Sequence, residues 1–292
     1  MCGIAGLFLK NHSLETELGR LTAGMLSVLT DRGPDSAGFA IYGAGNPGHL
    51  KFTLRASAGF DFFALPAKFD LSCTEHDDHA VISFPAEREA EIREVLARHP
   101  EISIVSTGAR MELFKGVGLP DDVSKRFGLH KMSGSHAIGH TRMATESAVT
   151  TQGAHPFSTG TDQCLVHNGS LSNHNAVRRV LAREGIKFDT QNDTEVAAGF
   201  VAYQLREGKK LDEALHAALE NLDGFYTFVV GTETGFGVLR DPVACKPAVM
   251  AETADYVAFG SEYRALADLP GIENAHIFEP EPAKVYFWER AA

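Results

Sequence analysis

The chain has 292 residues, 44% of them hydrophobic, and a formal charge of −11, which is enough chain to bury a large core without covalent staples. The acidic balance argues against a nucleic-acid partner, which would need a basic face, and no apolar run approaches the roughly 20 residues of a membrane span. Cys2, Cys73, Cys164 and Cys245 form no CxxC pair, so neither a disulfide framework nor a zinc or iron–sulfur site is indicated, and without a basic, apolar leader the expected home is the cytoplasm.

Alternating apolar residues predict a first strand near 3–9, followed by a helix after the cap Ser13 with Leu14, Leu18, Leu21 and Met25 on one face. Strands near 36–43 and 51–58 come next, then a strand at His79–Phe84, a helix from Glu87 to Arg98 and a strand at Ile102–Ser106. Beyond strands near 135–142 and 164–168, helices follow Ser172 (Val177, Val180 and Leu181 inward), start at Thr194 (Val196, Phe200 and Val201 inward), and carry Leu211, Leu215 and Leu219. Five more strands are expected near 225–231, 236–240, 247–251, 255–260 and 284–288. Strands at both ends with helices grouped between them predict two packed, mostly antiparallel sheets covered by helices rather than a doubly wound βαβ fold.

Removing the initiator methionine would place a thiol and a free α-amino group on Cys2. An α-amine titrates near pH 8 and can take the proton from the thiol, so nucleophile and base would share one residue. The ordinary alternative is a small buried hydrophobe opening a strand. Gly139-His140-Thr141-Arg142-Met143-Ala144-Thr145 ends a strand with an arginine whose planar fork suits a carboxylate, unless it is only a surface arginine. His167-Asn168-Gly169 sets a side-chain amide beside a glycine N–H, two donors for a developing oxyanion; Asn-Gly is also a common turn. Asn192-Asp193-Thr194-Glu195 opens a helix, where Asp193 either caps it or holds a ligand ammonium. Taken together, a carboxylate binder, an ammonium binder, an oxyanion pair and a terminal thiol are what hydrolysis of glutamine's side-chain amide requires.

These segments, together with Cys2-Gly3-Ile4, Arg32-Gly33-Pro34-Asp35-Ser36, Ala154-His155-Pro156, Asp223-Gly224, Arg240-Asp241-Pro242 and Gly260-Ser261-Glu262, occur in an order that resembles class II glutamine amidotransferases, members of the N-terminal-nucleophile (Ntn) hydrolases. The resemblance implies an α+β fold, a four-layer αββα sandwich of two antiparallel sheets with Cys2 at the end of an inner strand. It implies that Cys2 attacks the amide, that Asn168 and Gly169 stabilise the oxyanion, that Arg142 and Asp193 bind the α-carboxylate and α-ammonium, that Thr145 lines the pocket, and that Arg32 braces the site. Three departures from the family pattern touch the pocket wall and its loop: Met143 in place of tryptophan, Glu146-Ser147 in place of His-Gly, and Ala244 with Lys246 in place of glycine and arginine.

One amidotransferase domain is expected over 1–292. The interval before the arginine strand is longer than the family norm, so 61–132 is expected to be an insertion carrying a βαβ-like lobe, either a docking surface or mere decoration. Glu75-His76-Asp77-Asp78-His79 reads as a solvated polar loop rather than a metal site. The sequence shows no phosphate-binding glycine loop, and the acceptor chemistry is expected on another polypeptide, so no cofactor is expected on this chain. The layout resembles the small subunit of glutamate-synthase-like complexes such as N-methylglutamate synthase, with FMN and iron–sulfur centres on partner subunits that accept ammonia. A stand-alone γ-glutamyl amide hydrolase and a non-catalytic assembly subunit are the alternatives.

Overall fold

A computed structural model describes residues 2–57, 59–65, 71–144 and 148–290. Strand β1 (Gly3–Leu9) is buried along its whole length, and its period-two alternation feeds two different cores. Ala5, Leu7 and Leu9 point into one apolar cluster; Ile4 and Phe8 point into another on the opposite face. A strand covered on both faces must be nearly all apolar, which is why Gly3–Leu9 carries no charge.

The remaining elements, in chain order, are α1 (Leu18–Ser27), β2 (Ser36–Tyr42), β3 (His49–Ala56), β4 (Ser72–His76), β5 (His79–Pro85), α2 (Glu89–Leu96), β6 (Ile102–Gly108), β7 (Met111–Val117) and α3 (Pro120–Arg126). They continue with β8 (His136–Arg142), β9 (Phe157–Gly160), β10 (Gln163–Leu171), α4 (His174–Arg183), α5 (Asp193–Arg206), α6 (Leu211–Asn221), β11 (Gly224–Gly231), β12 (Gly235–Arg240), β13 (Val249–Glu252), β14 (Tyr256–Gly260), β15 (His276–Phe278) and β16 (Val285–Glu289).

Among the described residues the strands form three antiparallel sheets, in the orders β15-β13-β14-β1-β8-β2-β7, β16-β12-β11-β10-β9 and β4-β5-β3-β6. The first two face each other across Ile4, Phe8, Tyr42 and Ile138 on one side and Cys164, Val166, Val229 and Phe236 on the other. The outer face of the seven-stranded sheet packs under α1 and α3 through Leu21, Met25, Val123 and Phe127. The outer face of the five-stranded sheet packs under α4, α5 and α6 through Leu181, Val201 and Leu215. The result is the expected αββα sandwich.

The four-stranded sheet is a separate lobe with its own core of Phe52, Leu54, Ile82, Phe84, Ile92 and Leu96. β5 and β6 both run antiparallel to β3 and flank it, so they are parallel to each other and α2 crosses over β3 between them, a split βαβ unit. The lobe's strands span 49–108, whereas 111–117 is an edge strand of the main sheet and 120–126 a helix packed on it. The stretch 61–132 therefore divides between lobe and sandwich, and β3, expected as a sandwich strand, belongs to the lobe. No helix of the described residues is long and apolar enough to cross a membrane.

Candidate active site

Strand register gathers the motif residues at one end of the sandwich. Gly3 lies opposite Thr141 and Ser36 opposite Arg142, so Cys2, Arg142 and the segment 32–36 meet at the same ends of β1, β8 and β2. Gly33 is required there by close approach, because a Cβ would sit 2.3 Å from the carbonyl carbon of Thr141. Asp35 then fastens the exit of β8, its N–H donating to Arg142 O at 3.1 Å and its carboxylate accepting from the Ala144 N–H at 2.7 Å.

Cys2 is half-buried, and its thiol lies 3.9 Å from Met143 O. Two side chains converge on its backbone carbonyl: Asn168 Nδ2 donates at 3.1 Å and Arg32 Nε at 3.0 Å. Arg32 also pairs through Nη1 with Glu262 at 2.7 Å. The Arg32 hydrogen bond is the main reason the Glu262 carboxyl sits below its usual range. Next to Glu262, Ser261 Oγ accepts the Ile4 N–H at 2.9 Å, so the segment 260–262 ties β14 to the entry of β1. Glu262 had no role on sequence grounds. The sequence marked it only as part of the Gly260-Ser261-Glu262 segment, and the structure supplies the reason: a buried arginine, 9% exposed, needs a counter-ion.

Asn168 is 4% exposed near the end of β10, and Gly169 follows with φ +147, a conformation L side chains rarely adopt. A Cβ at Gly169 would lie 2.0 Å from Phe225 O. These two residues are thus part of a strand rather than the turn that Asn-Gly alone permits.

Asp193 is the first residue of α5, but Asn192 is its cap, with Oδ1 accepting the Thr194 N–H at 2.9 Å. Asp193 instead accepts the Leu171 N–H at 2.9 Å and lies 3.7 Å from His167 Nδ1, so it meets Asn168 through the adjacent histidine. The Arg142 guanidinium donates to Ala148 O at 3.3 Å. Thr145, and with it Glu146 and Ser147, lies outside the described residues. Arg240 and Asp241 serve the neighbouring loop: Asp241 accepts the N–H groups of Tyr226 and Val243, while Arg240 donates to Pro280 O and Lys246 O.

Two other features stand apart from this cluster. A cleft of ≈ 840 Å³ lined by residues such as Ile104, Thr107, Ser158 and Lys187 lies between the lobe and β9, and none of the Cys2 group borders it. In the segment 75–79, His76 Nδ1 bonds Phe127 O and His79 pairs with Asp78, which also accepts from Arg55. No group of three or more His, Cys, Asp or Glu among the described residues could hold a metal ion.

The family model described as "Glutamine amidotransferase domain" matches residues 140–268. The "Glutamine amidotransferase-like protein GlxB" of Rhizobium meliloti (strain 1021) is 60% identical over 300 residues, covering 99% of this chain and 98% of that one. The chain belongs to the class II glutamine amidotransferases. Amidophosphoribosyltransferase 1 of Arabidopsis thaliana is 33% identical over 188 residues, which is 63% of this amidotransferase and 32% of that protein. Among solved structures, glutamine phosphoribosylpyrophosphate amidotransferase from B. subtilis superposes with a TM-score of 0.64 at 22% identity, covering 99% of this chain and 47% of that one. The amidotransferase chain thus shares that fold and spans about half the length of the solved structure.

Proposed function

We propose that this amidotransferase hydrolyses the side-chain amide of glutamine with Cys2 as nucleophile after removal of Met1. The observation that carries the proposal is the convergence of Asn168 and Arg32 on Cys2 O. An asparagine amide has two N–H groups; with one anchored on Cys2, the other is left to face an oxyanion formed beside the sulfur. Gly169 supports the same reading. Tyr226, opposite it across β10 and β11, donates its N–H to the Asp241 carboxylate and accepts the Asp241 N–H on its C=O. The alternation of an antiparallel ladder then turns the Gly169 N–H away from β11, beyond the stretch of β10 that β9 covers.

In the proposed sequence the Cys2 α-amine accepts the thiol proton and the sulfur attacks the amide carbon. Asn168 and the Gly169 N–H hold the tetrahedral oxyanion. Return of the proton to the leaving nitrogen releases ammonia, and water hydrolyses the thioester to glutamate. Arg142 takes the α-carboxylate, Asp193 the α-ammonium, and Thr145 lines the pocket; Arg32, held by Glu262, fixes the Cys2 backbone. The ammonia passes to a synthase on a partner subunit of glutamate-synthase-like type, such as N-methylglutamate synthase, with FMN and iron–sulfur chemistry on that partner.

The test is to isolate the chain with its native partners, determine the mass of its N-terminus, and measure glutamate release with and without them. Glutamate release by molecules lacking Met1, stimulated by partner and acceptor, is the expected result. High turnover by the isolated chain, indifferent to partners, would identify a stand-alone γ-glutamyl amide hydrolase, and full activity with Met1 retained would end the account.

A further inference from the structure

Near the Cys2 cluster lie three buried histidines to which the proposed chemistry assigns nothing: His140, on the inner face of the seven-stranded sheet, His155, before β9, and His167, on the helix-covered face of the five-stranded sheet, are 1%, 5% and 3% exposed. One hydroxyl joins two of them, and the third bonds the backbone of one of that pair. Thr194 Oγ1 lies 3.0 Å from His167 Nδ1 and 3.1 Å from His155 Nε2, and His140 Nε2 lies 3.1 Å from the backbone carbonyl of His167. A carbonyl only accepts, so His140 carries its proton on Nε2. His167 Nδ1 faces both the hydroxyl and the Asp193 carboxylate, so it donates, and the hydroxyl donates onward to His155.

Each link ends next to a residue that would grip substrate. His140 is two positions before Arg142 on β8, and its acceptor is the peptide leading into Asn168. Thr194 follows Asp193 at the start of α5. His155 is itself fixed, because the buried Lys115 ammonium donates to the carbonyls on either side of it, Ala154 O at 3.0 Å and Pro156 O at 3.4 Å. The chain of bonds therefore crosses from the seven-stranded sheet to the five-stranded sheet and on to α5, the three elements that carry Arg142, Asn168 and Asp193.

We infer that His140 and Thr194 are positioning residues for amide hydrolysis, holding the oxyanion donor and the ammonium-binding carboxylate in register with the carboxylate-binding arginine. This rests on the glutaminase reading above. Thr194 fixes the helix start bearing Asp193, which acts on substrate binding; His140 fixes the backbone before Asn168, which acts on the transition state.

The test uses the full chain in its active, partner-bound form. Thr194→Val, which keeps the shape and removes the hydroxyl, should raise KM for glutamine by about 5–30-fold with kcat changed less than about 3-fold, and Thr194→Ser should restore KM. His140→Leu should lower kcat by about 10–100-fold, since misplacement on the ångström scale costs that much, and His140→Gln, whose amide can donate from the same reach, should recover most of it. Thermal unfolding of every variant separates this pattern from general loosening. Unchanged kcat and KM in Thr194→Val and His140→Leu, or losses that merely track the unfolded fraction and ignore the conservative replacements, overturn the inference while wild-type activity stands. A wild-type complex that releases no glutamate removes the glutaminase reading itself.

Discussion

The side-chain amide of Asn168 donates to the backbone carbonyl of Cys2 at 3.1 Å, so the proposed oxyanion donor is anchored on the proposed nucleophile. A donor held this way needs no reorganisation when negative charge develops, which is where such groups are most effective. Asn168→Ala should lower kcat by about 10²–10³ while KM for glutamine changes less. Steady-state kinetics decide the point, because a change confined to KM would make Asn168 a binding residue.

Cys2→Ala should abolish glutamate release and leave the fold intact. The thiol is half-buried and its hydrogen bond to Met143 O, 3.9 Å long, is weak, so its loss should change stability by less than about 1 kcal/mol. Urea unfolding checks the stability, and covalent labelling by an electrophilic glutamine analogue, seen in the wild type and lost in the variant, checks the chemistry. Appreciable hydrolysis by the alanine variant would remove Cys2 from the mechanism.

Two glycines should respond to alanine in opposite directions. Gly169 has φ +147 and would bring a Cβ to 2.0 Å from Phe225 O, so Gly169→Ala should destabilise by about 3 kcal/mol or more. Gly24, exposed within α1, meets nothing within 4 Å, so Gly24→Ala should stabilise by about 0.5–1 kcal/mol. Equilibrium denaturation of both variants is the measurement, and a well-folded Gly169→Ala protein would show that β10 can relax where the packing says it cannot.

Arg142 tests the binding half of the site. A guanidinium presents a planar fork to a carboxylate that a lysine cannot reproduce, so Arg142→Lys should raise KM for glutamine by about 10-fold or more with a smaller effect on kcat. An equal fall in kcat and kcat/KM would instead place Arg142 on the transition state.

The sandwich was legible because its strands are buried on both faces: Gly3–Leu9, Ser36–Tyr42 and His136–Arg142 each alternate between two cores, and that period survives in the sequence. Single motif residues were ambiguous, because a strand-end arginine and an Asn-Gly pair each have an ordinary reading, and only their order along the chain pointed to one site. What was obscured has physical reasons. β3 has the same alternation as a sandwich strand, and only long-range pairing with β5 and β6 assigns it to the lobe. β7 holds Lys115 in the middle of an apolar run, and nothing local reveals that three carbonyls and the Phe157 ring receive the ammonium. Asn192 and Asp193 are both good caps, and the choice between them is made by Leu171, whose N–H the aspartate accepts. The partnership of Arg32 with Glu262 spans 230 positions, a separation at which local pattern carries no information.

The buried imidazoles also fix how stability depends on pH. Burial is the leading cause in every case: it pushes His136 and His140 down to about 3 and also lowers His79, His155 and His167, so these rings are neutral in the fold. The unfolded chain binds protons at these rings near pH 6.5, whereas the folded chain binds them only at lower pH, about 3 for His136 and His140. Below 6.5 the unfolded state therefore holds more protons, and stability falls as pH falls toward 3. At pH 5 each of His136 and His140 should cost about 2 kcal/mol relative to neutrality. The depressed carboxyls Asp78 and Glu262 act in the same direction at lower pH, because their stabilisation is lost as they protonate. Lys115, lowered to about 8 by burial, changes its contribution only above that pH. Urea unfolding at pH 7.5 and 5.0 should accordingly show a loss of at least about 4 kcal/mol. His136→Gln, which keeps hydrogen-bonding capacity toward Thr232 O and cannot titrate, should lose about 2 kcal/mol less over the same interval. A stability that stays flat from pH 7.5 to 5.0 would mean the rings gain their protons inside the fold and are not sealed as the packing indicates.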